Sequence, residues 1–188
     1  MNLTKGGNVS LAKAAPGLSV VALGLGWDAR TTDGSSFDLD ASALGLGTDG
    51  KIVSNEHFVF CNKRSPDGSI EYRGDNLTGE GAGDDEVITV NVAAVPPNID
   101  KVAIAVSIYD ADTKRLSFGR VRNAYIRVVN QTDKVELGRY DLSEDPSTET
   151  AMVFGELYRN GSEWKFRAIG PGYASGLSGI AQDFGVTV

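Results

Sequence analysis

The stretch Gly74–Glu86, GDNLTGEGAGDDE, carries five carboxylates and four glycines in thirteen positions. Two carboxylates about 4 Å apart repel each other by roughly 4 kcal/mol at an effective dielectric near 20. Ordering each glycine costs a further 0.5–1 kcal/mol or so relative to alanine. The stretch is therefore either a solvated loop or a loop in which a positive ion balances the carboxylates.

The side chains of this stretch favour calcium over other metals. Calcium takes six to eight oxygen ligands from carboxylates, carbonyls and water, whereas zinc and copper prefer nitrogen and sulfur. Magnesium stays an alternative, although it keeps several waters and usually leans on a phosphate. The residues that carry hard oxygen are Asp75, Asn76, Thr78, Glu80, Asp84, Asp85 and Glu86.

The spacing excludes an EF-hand. Asp75 and Glu86 fall at positions 1 and 12 of such a loop. However, Leu77 and Gly79 fall at positions 3 and 5, where oxygen ligands are needed, and Glu80 replaces the glycine of position 6. The stretch also lacks the G-x-x-x-x-G-K pattern of a phosphate-binding loop.

A second acidic motif, FDLDAS, has the alternation of a strand. Side chains along a strand point to opposite faces in turn, so Asp38 and Asp40 are expected on one face and Leu39 on the other. Such a pair supplies two hard oxygen ligands at a fixed spacing. The alternative is a solvent-facing side of a sheet, but aspartate is a poor strand former. The motif therefore favours a ligand pair.

Two further places offer carboxylates. Asp28, in GWDAR, ends the first strong strand, where the loops of a sandwich gather. Asp110 and Asp112, in YDADT, are expected to share one strand face, and the alternative is that they start a polar hairpin.

The elements that position these residues are predicted to be strands. Period-two alternation and β-branched residues dominate, and many short strands at steady spacing indicate an antiparallel β-sandwich. The predicted strands are LSVVALGLGW, FDLDASALGL, EHFVFC, EVITVNVAAV, KVAIAVSIYD, NAYIRVVN, KVELGRYDL, TAMVFGELYR and EWKFRAIG.

Turn and helix patterns complete this plan. Asn160–Gly161 predicts a two-residue type I′ hairpin loop, and NQTDK predicts a second hairpin between Ile126 and Val135. The stretch Tyr173–Gly185 predicts a short C-terminal helix that ends at Gly185. The apolar face of that helix is expected to hold Leu177, Ile180, Ala181 and Phe184.

Length and composition limit the function. The 188 residues suit one domain, 1–188, with a net charge of −7 that argues against nucleic-acid binding. The single cysteine, Cys61, excludes an intrachain disulfide and favours a reducing compartment, with its side chain packed in the apolar run HFVFCN. Leu18–Trp27 is too short to span a bilayer and lacks a signal-peptide pattern. We expect a cytoplasmic protein without a transmembrane segment.

Taken together, the motifs resemble the TerD family of bacterial tellurium-resistance and general-stress proteins. The resemblance rests on GWD, FDLDASALGL and GDNLTGEGAGDDE, with KGGNVSL, NAYIRV and ELYRNGSEWKFRAIGPGY as further matches. It covers essentially the whole chain. It implies a β-sandwich with calcium-binding loops at one edge, two adjacent calcium ions, and a role in resistance to tellurite and other stresses.

The resemblance also implies a ligand set. Its members are Asp28, Asp38, the Leu39 carbonyl, Asp40, Asp75, Asn76, Thr78, Asp84, Asp85 and Glu86. The family usually has an acidic or polar residue where Ala82 stands, so one oxygen is missing here. Glu80 either lies next to the ion ligands without binding an ion directly or faces solvent.

The sequence is compatible with three functions. The leading prediction is a calcium-binding stress protein without enzymatic activity, in which calcium orders the acidic edge that meets an unknown protein partner or a membrane surface. A calcium-dependent lipid- or glycan-binding module is the second, and its stacking candidates are Trp27, Tyr109, Trp164 and Tyr173. A metal-dependent hydrolase is the third, but the only histidine, His57, has no nucleophile or base constellation around it in sequence.

Overall fold

The computed structural model of the chain describes residues 1–28, 37–74, 83–142 and 148–187. The strands are β1 Asn8–Ser10, β2 Val20–Gly26, β3 Leu39–Leu46, β4 Phe58–Phe60, β5 Ile70–Gly74, β6 Glu86–Asn91, β7 Lys101–Ile108, β8 Tyr125–Asn130, β9 Glu136–Asp141, β10 Ala151–Asn160, β11 Glu163–Ala168 and β12 Gly172–Tyr173. The helices are α1 Leu11–Ala14, α2 Ala111–Lys114 and α3 Gly176–Asp183.

The described strands form two antiparallel sheets. One sheet has the order β1-β11-β10-β7-β3-β4, with β12 beside β10, and the other has the order β5-β6-β2-β8-β9. The predicted mainly β sandwich with a short C-terminal helix is confirmed. All nine predicted strands are present, whereas β1, β5 and β12 are too short or too polar to stand out from the sequence pattern.

The core lies between the sheets and follows the alternation of the strands. On β3, Leu39 and Ala41 belong to the main buried cluster, together with Ile88 of β6 and Val106 of β7. Leu44 and Leu46 belong instead to a second cluster on the outer face of the larger sheet, which α3 covers with Ile180. β3 is thus buried on both faces at its C-terminal half, whereas Asp40 lies in its N-terminal half and Asp38 immediately precedes it.

The predicted helix and its cap at Gly185 are confirmed, but the helix begins at Gly176, because Tyr173 lies in β12. Ile180 and Ala181 are buried, while Leu177 and Phe184 pack against the same cluster. Gly185 has a φ of +80°. Its N–H donates to the Gln182 carbonyl over 3.0 Å, and the N–H of Val186 donates to the Ala181 carbonyl over 2.8 Å. These two bonds form a Schellman motif, in which glycine adopts the left-handed conformation without a Cβ penalty.

Two local predictions are wrong. The β10–β11 hairpin exists, but Asn160 pairs with Glu163, so the loop is Gly161–Ser162. Within that loop only Gly161, at +62°, has a positive φ, which is the pattern of a type II′ turn rather than type I′. The strand KVAIAVSIYD ends at Ile108, because Asp110 is left-handed with a φ of 53° and precedes α2.

Candidate functional site

Three acidic segments meet at one end of the sandwich. Asp28 follows β2, Asp38 precedes β3, and Asp84 and Asp85 precede β6. Because β2 pairs antiparallel with β6, the end of the first lies beside the start of the second, and Leu25 is opposite Glu86. We call the group Asp28, Asp38, Asp40, Asp84, Asp85 and Glu86 the acidic end. The end of β2 lies beside both other segments, because Trp27 hydrogen-bonds to Asp85 and to the Phe37 carbonyl.

Glu86 joins the two sheets at this end. Its side chain is fully buried, with 0% of the residue exposed. Its Oε1 accepts a hydrogen bond from the Tyr72 hydroxyl over 2.9 Å, and its Oε2 accepts one from the backbone N–H of Ala41 over 3.1 Å. A buried carboxylate needs such donors to offset its lost hydration. The sequence pattern gave no indication of Tyr72, because no expected strand covered β5.

Asp85 helps to position the residues that flank segment 29–36. Its N–H donates to the Leu25 carbonyl over 2.8 Å, and its Oδ2 accepts the N–H of Trp27 over 3.1 Å. The indole Nε1 of Trp27 then donates to the Phe37 carbonyl over 3.3 Å. Trp27 and Phe37 are thereby held at the acidic end through one carboxylate and one buried indole.

Asp84 lies on the outer face of the smaller sheet, over Gly24. A Cβ on Gly24 would lie 2.1 Å from Oδ2 of Asp84, so glycine is required for this approach. Oδ1 of Asp84 accepts Nε of Arg127 over 2.7 Å and the Tyr125 hydroxyl over 3.1 Å. The sequence pattern does not indicate Arg127 or Tyr125 as site residues, although both lie in the NAYIRV motif.

Both hydrogen-bond partners of Asp84 have raised pKa values. Burial raises the pKa of Tyr125 to about 12, and the charge of Asp84 and the hydrogen bond to it act in the same direction. The hydrogen bond to Asp84 raises the pKa of Arg127. Nη1 of Arg127 also lies 3.5 Å from Oε2 of Glu136. Arg127 therefore stays charged between two carboxylates.

Asp28 is exposed, and two residues that precede β8 form hydrogen bonds with it. Its N–H donates to the Arg122 carbonyl over 3.0 Å, and its Oδ2 accepts a hydrogen bond from the Asn123 amide. Asn123 has a φ of 52°, in the left-handed region that asparagine tolerates better than most residues. Asn123 is a further residue that the sequence pattern did not indicate.

Asp38 and Asp40 take the predicted alternation. Both are half-buried, while Phe37 and Leu39 are fully buried in the main cluster. The Asp38 carbonyl accepts the N–H of Tyr109 over 2.8 Å. Asp38 and Asp40 thus lie on the face of β3 opposite the core, and the Leu39 carbonyl stays a prediction as a ligand.

The remaining predicted ligands cannot be placed. Asp75, Asn76 and Thr78 lie outside the described residues, as do Glu80 and Ala82. Among the residues that the structure does describe, no three carboxylates, histidines or cysteines are grouped closely enough to hold an ion. The chemistry of the described donor set fits calcium, because each side chain of the acidic end offers carboxylate oxygen.

Other candidate residues lie elsewhere or differ from expectation. Asp110 and Asp112 are not on one strand face, because α2 begins between them. Cys61 is exposed rather than packed, since β4 ends at Phe60.

His57 packs over Gly45, in the half of β3 remote from Asp38. Its Nδ1 lies 2.7 Å from the Ser54 hydroxyl, and its Nε2 lies 3.5 Å from Oδ2 of Asp67.

The four aromatic residues that could stack on a ligand differ in how exposed they are. Trp27 and Trp164 are core residues, with 4% and 8% of their surface exposed. Tyr173 is half-buried beside α3. Tyr109 is 59% exposed and next to the acidic end through its bond to Asp38. In the described part of the chain, no helix is long and apolar enough to cross a membrane.

Known proteins resemble this chain over nearly its full length. The tellurium resistance protein TerD of Serratia marcescens is 54% identical over 187 residues, which cover 99% of this chain and 97% of that protein. General stress protein 16U of Bacillus subtilis is 50% identical over 190 residues, covering 100% of this chain and 98% of that protein.

The fold leads to the same group of proteins. A solved structure of a homologue of telluride resistance protein (TerD) from Streptomyces coelicolor A3(2) superposes with a TM-score of 0.68 at 29% sequence identity. The match covers 88% of this chain and 96% of that chain. The TerD domain family matches residues 1–184. This chain therefore belongs to the TerD domain family of tellurium-resistance and general-stress proteins.

Proposed function

We propose that this protein is a non-enzymatic, calcium-binding stress-response protein whose acidic end holds two calcium ions. The observation that carries the proposal is the pair of bonds that bring distant acidic motifs together. Glu86 accepts the N–H of Ala41 in the FDLDAS strand, and Asp85 accepts the N–H of Trp27 in the GWD motif. Three segments that are far apart in sequence thus place their carboxylates at one end of the sandwich.

Charge balance favours a cation there. Asp84, Asp85 and Glu86 are three consecutive carboxylates, and Arg127 forms an ion pair with Asp84. Two calcium ions would neutralise four carboxylates. Calcium suits this donor set better than magnesium, because it accepts more ligands and a less regular geometry.

Calcium binding is expected to stabilise the fold and to order the acidic end. An ion that binds only the folded state stabilises it by RT ln(1 + [L]/Kd), about 2.7 kcal/mol at one hundred times Kd. The ordered end then meets a protein partner or a membrane surface. Relatives named for tellurium resistance and general stress supply the biological setting of the proposal.

One observation favours a second function, calcium-dependent binding of a lipid or glycan. Tyr109 is an exposed aromatic residue bonded to the backbone of Asp38, and Nζ of Lys114 lies 5.8 Å from its ring centre. Calcium-dependent binding to a lipid or glycan panel that is lost in Tyr109→Ala would support this function. A hydrolase has no such support, because His57 lies at the remote half of β3.

The direct test is calorimetric titration of metal-free protein with calcium and then with magnesium, with thermal melting in parallel. We expect two calcium ions per chain, a raised melting temperature and weak magnesium binding. Asp40→Asn and Asp85→Asn should each lower the affinity or the stoichiometry. Asp133→Asn is the matched control, because Asp133 lies in the β8–β9 hairpin loop, where its Oδ1 accepts the N–H of Val135.

The opposite result is equally informative. Absence of calcium binding, or weak binding that does not distinguish calcium from magnesium, would contradict the proposal. The convergence of Asp85 and Glu86 would then be explained by the hydrogen bonds that join the two sheets. Equal losses in Asp40→Asn and Asp133→Asn would likewise show that general charge, rather than this end, attracts the ion.

A further inference from the structure

Arg127 is placed between the acidic end and a second carboxylate. Its Nε donates to Oδ1 of Asp84 over 2.7 Å, and its Nη1 lies 3.5 Å from Oε2 of Glu136 on β9. The side chains of Arg127 and Asp84 are only 30% and 13% exposed. A guanidinium keeps its charge at any physiological pH, so a permanent cation already contacts one of the predicted calcium ligands.

We infer that Arg127 is a built-in counter-cation, which holds Asp84 in the metal-free protein and weakens calcium binding. The inference rests on the proposed function and names the residue that tunes its affinity. Without calcium, the guanidinium of Arg127 balances the charge of the Asp84 carboxylate. With calcium, the same positive charge repels the ion and competes for Oδ1.

The geometry allows Asp84 to be shared or exchanged. Oδ1 accepts both bonds, from Arg127 and from Tyr125, whereas the described residues give Oδ2 no hydrogen bond. Oδ2 lies over Gly24, where the absence of a Cβ leaves room for the carboxylate. If calcium draws Asp84 away, the guanidinium keeps Glu136 as a partner. The exchange therefore leaves no buried charge without a neighbour.

The test replaces the guanidinium with an uncharged side chain of similar length. Arg127→Met should lower the melting temperature of the metal-free protein and tighten calcium binding, measured by calorimetry. The expected gain in affinity is roughly three- to tenfold, the effect of removing one unit charge near a partly solvated divalent ion. Arg127→Lys keeps the charge, so its calcium affinity should stay closer to that of the parent protein than the affinity of Arg127→Met does.

Two controls separate a local effect from a general one. Arg167→Met removes an arginine paired with Glu156 on the larger sheet, so net charge changes equally without touching Asp84. It should leave calcium affinity unchanged. Tyr125→Phe removes the second donor to Asp84 but no charge, and should change calcium affinity much less than Arg127→Met.

The outcomes distinguish this inference from the proposed function. Unchanged or weaker calcium binding in Arg127→Met, while the parent protein binds calcium, overturns the inference alone. A parent protein that binds no calcium overturns both. A double-mutant cycle of Asp84→Asn and Arg127→Met in metal-free protein measures the pair directly. Coupling indistinguishable from zero would also overturn the inference.

Discussion

Oε2 of Glu86 lies 3.1 Å from the backbone nitrogen of Ala41, and this bond joins the first residue of β6 in one sheet to β3 in the other. The two residues are 45 positions apart. Oε1 of the same carboxylate accepts the Tyr72 hydroxyl. The sheets are therefore tied at the acidic end by a buried carboxylate with donors on both oxygens, in addition to apolar packing.

Glu86→Gln should destabilise the metal-free protein. Both carboxylate oxygens accept hydrogen bonds, so a glutamine amide must turn its NH₂ group toward either the Ala41 N–H or the Tyr72 hydroxyl. Leaving a buried donor unsatisfied costs about 1–3 kcal/mol. Chemical denaturation of the metal-free protein measures the loss. Glu71→Gln, a surface substitution beside Arg73, is the control and should cost less than about 1 kcal/mol.

An unchanged free energy of unfolding in Glu86→Gln would contradict this account of the inter-sheet bond. Loss of calcium affinity without loss of metal-free stability would assign Glu86 to the ion rather than to the sheets.

Gly24→Ala should displace Asp84. The added methyl carbon would lie 2.1 Å from Oδ2 and 2.3 Å from Cγ of Asp84, far inside van der Waals contact. Overpacking of this kind costs about 1–3 kcal/mol. We expect a lower melting temperature and altered calcium affinity. Asp84→Ala removes the clashing atoms, so the cost of Gly24→Ala should shrink in that background. Equal costs in both backgrounds would show that Asp84 is not what Gly24 accommodates.

Tyr125 makes stability depend on alkaline pH. Burial, together with the charge of Asp84 and the hydrogen bond to it, raises the pKa of Tyr125 to about 12. A group whose pKa is raised in the folded state contributes stability that is complete below its unfolded pKa of about 10. That stability is lost as pH rises toward 12. Because the ring is only partly buried, we expect a loss of about 1 kcal/mol.

Denaturation of the parent protein and of Tyr125→Phe at several pH values between about 9 and 12 measures the stability that Tyr125 contributes. The stability difference between the two proteins should fall as pH rises. Parallel curves would contradict the assignment, as would a Tyr125 that titrates near pH 10 in difference absorbance spectra.

Strand periodicity could be predicted because it depends on local sequence. Along FDLDAS each side chain alternates between core and outer face, which the burial of Leu39 and the half-burial of Asp38 and Asp40 confirm. The cap of α3 at Gly185 is local too, since only glycine adopts a φ of +80° at little cost. The hairpin register at Asn160 was missed, because pairing with Glu163 depends on packing of both strands rather than on the NG dipeptide.

The sandwich, the family and the oxygen-rich segments could be predicted from the amino-acid order, since they follow from alternation, motif and side-chain chemistry. The partners of those segments are set by the tertiary structure. It placed Glu86 against Ala41 and Tyr72, Asp85 against Trp27, and Asp84 against Arg127. Those partners come from strands that pair across long sequence separations. No local pattern records such neighbours, because they are set by strand order and by how the two sheets pack.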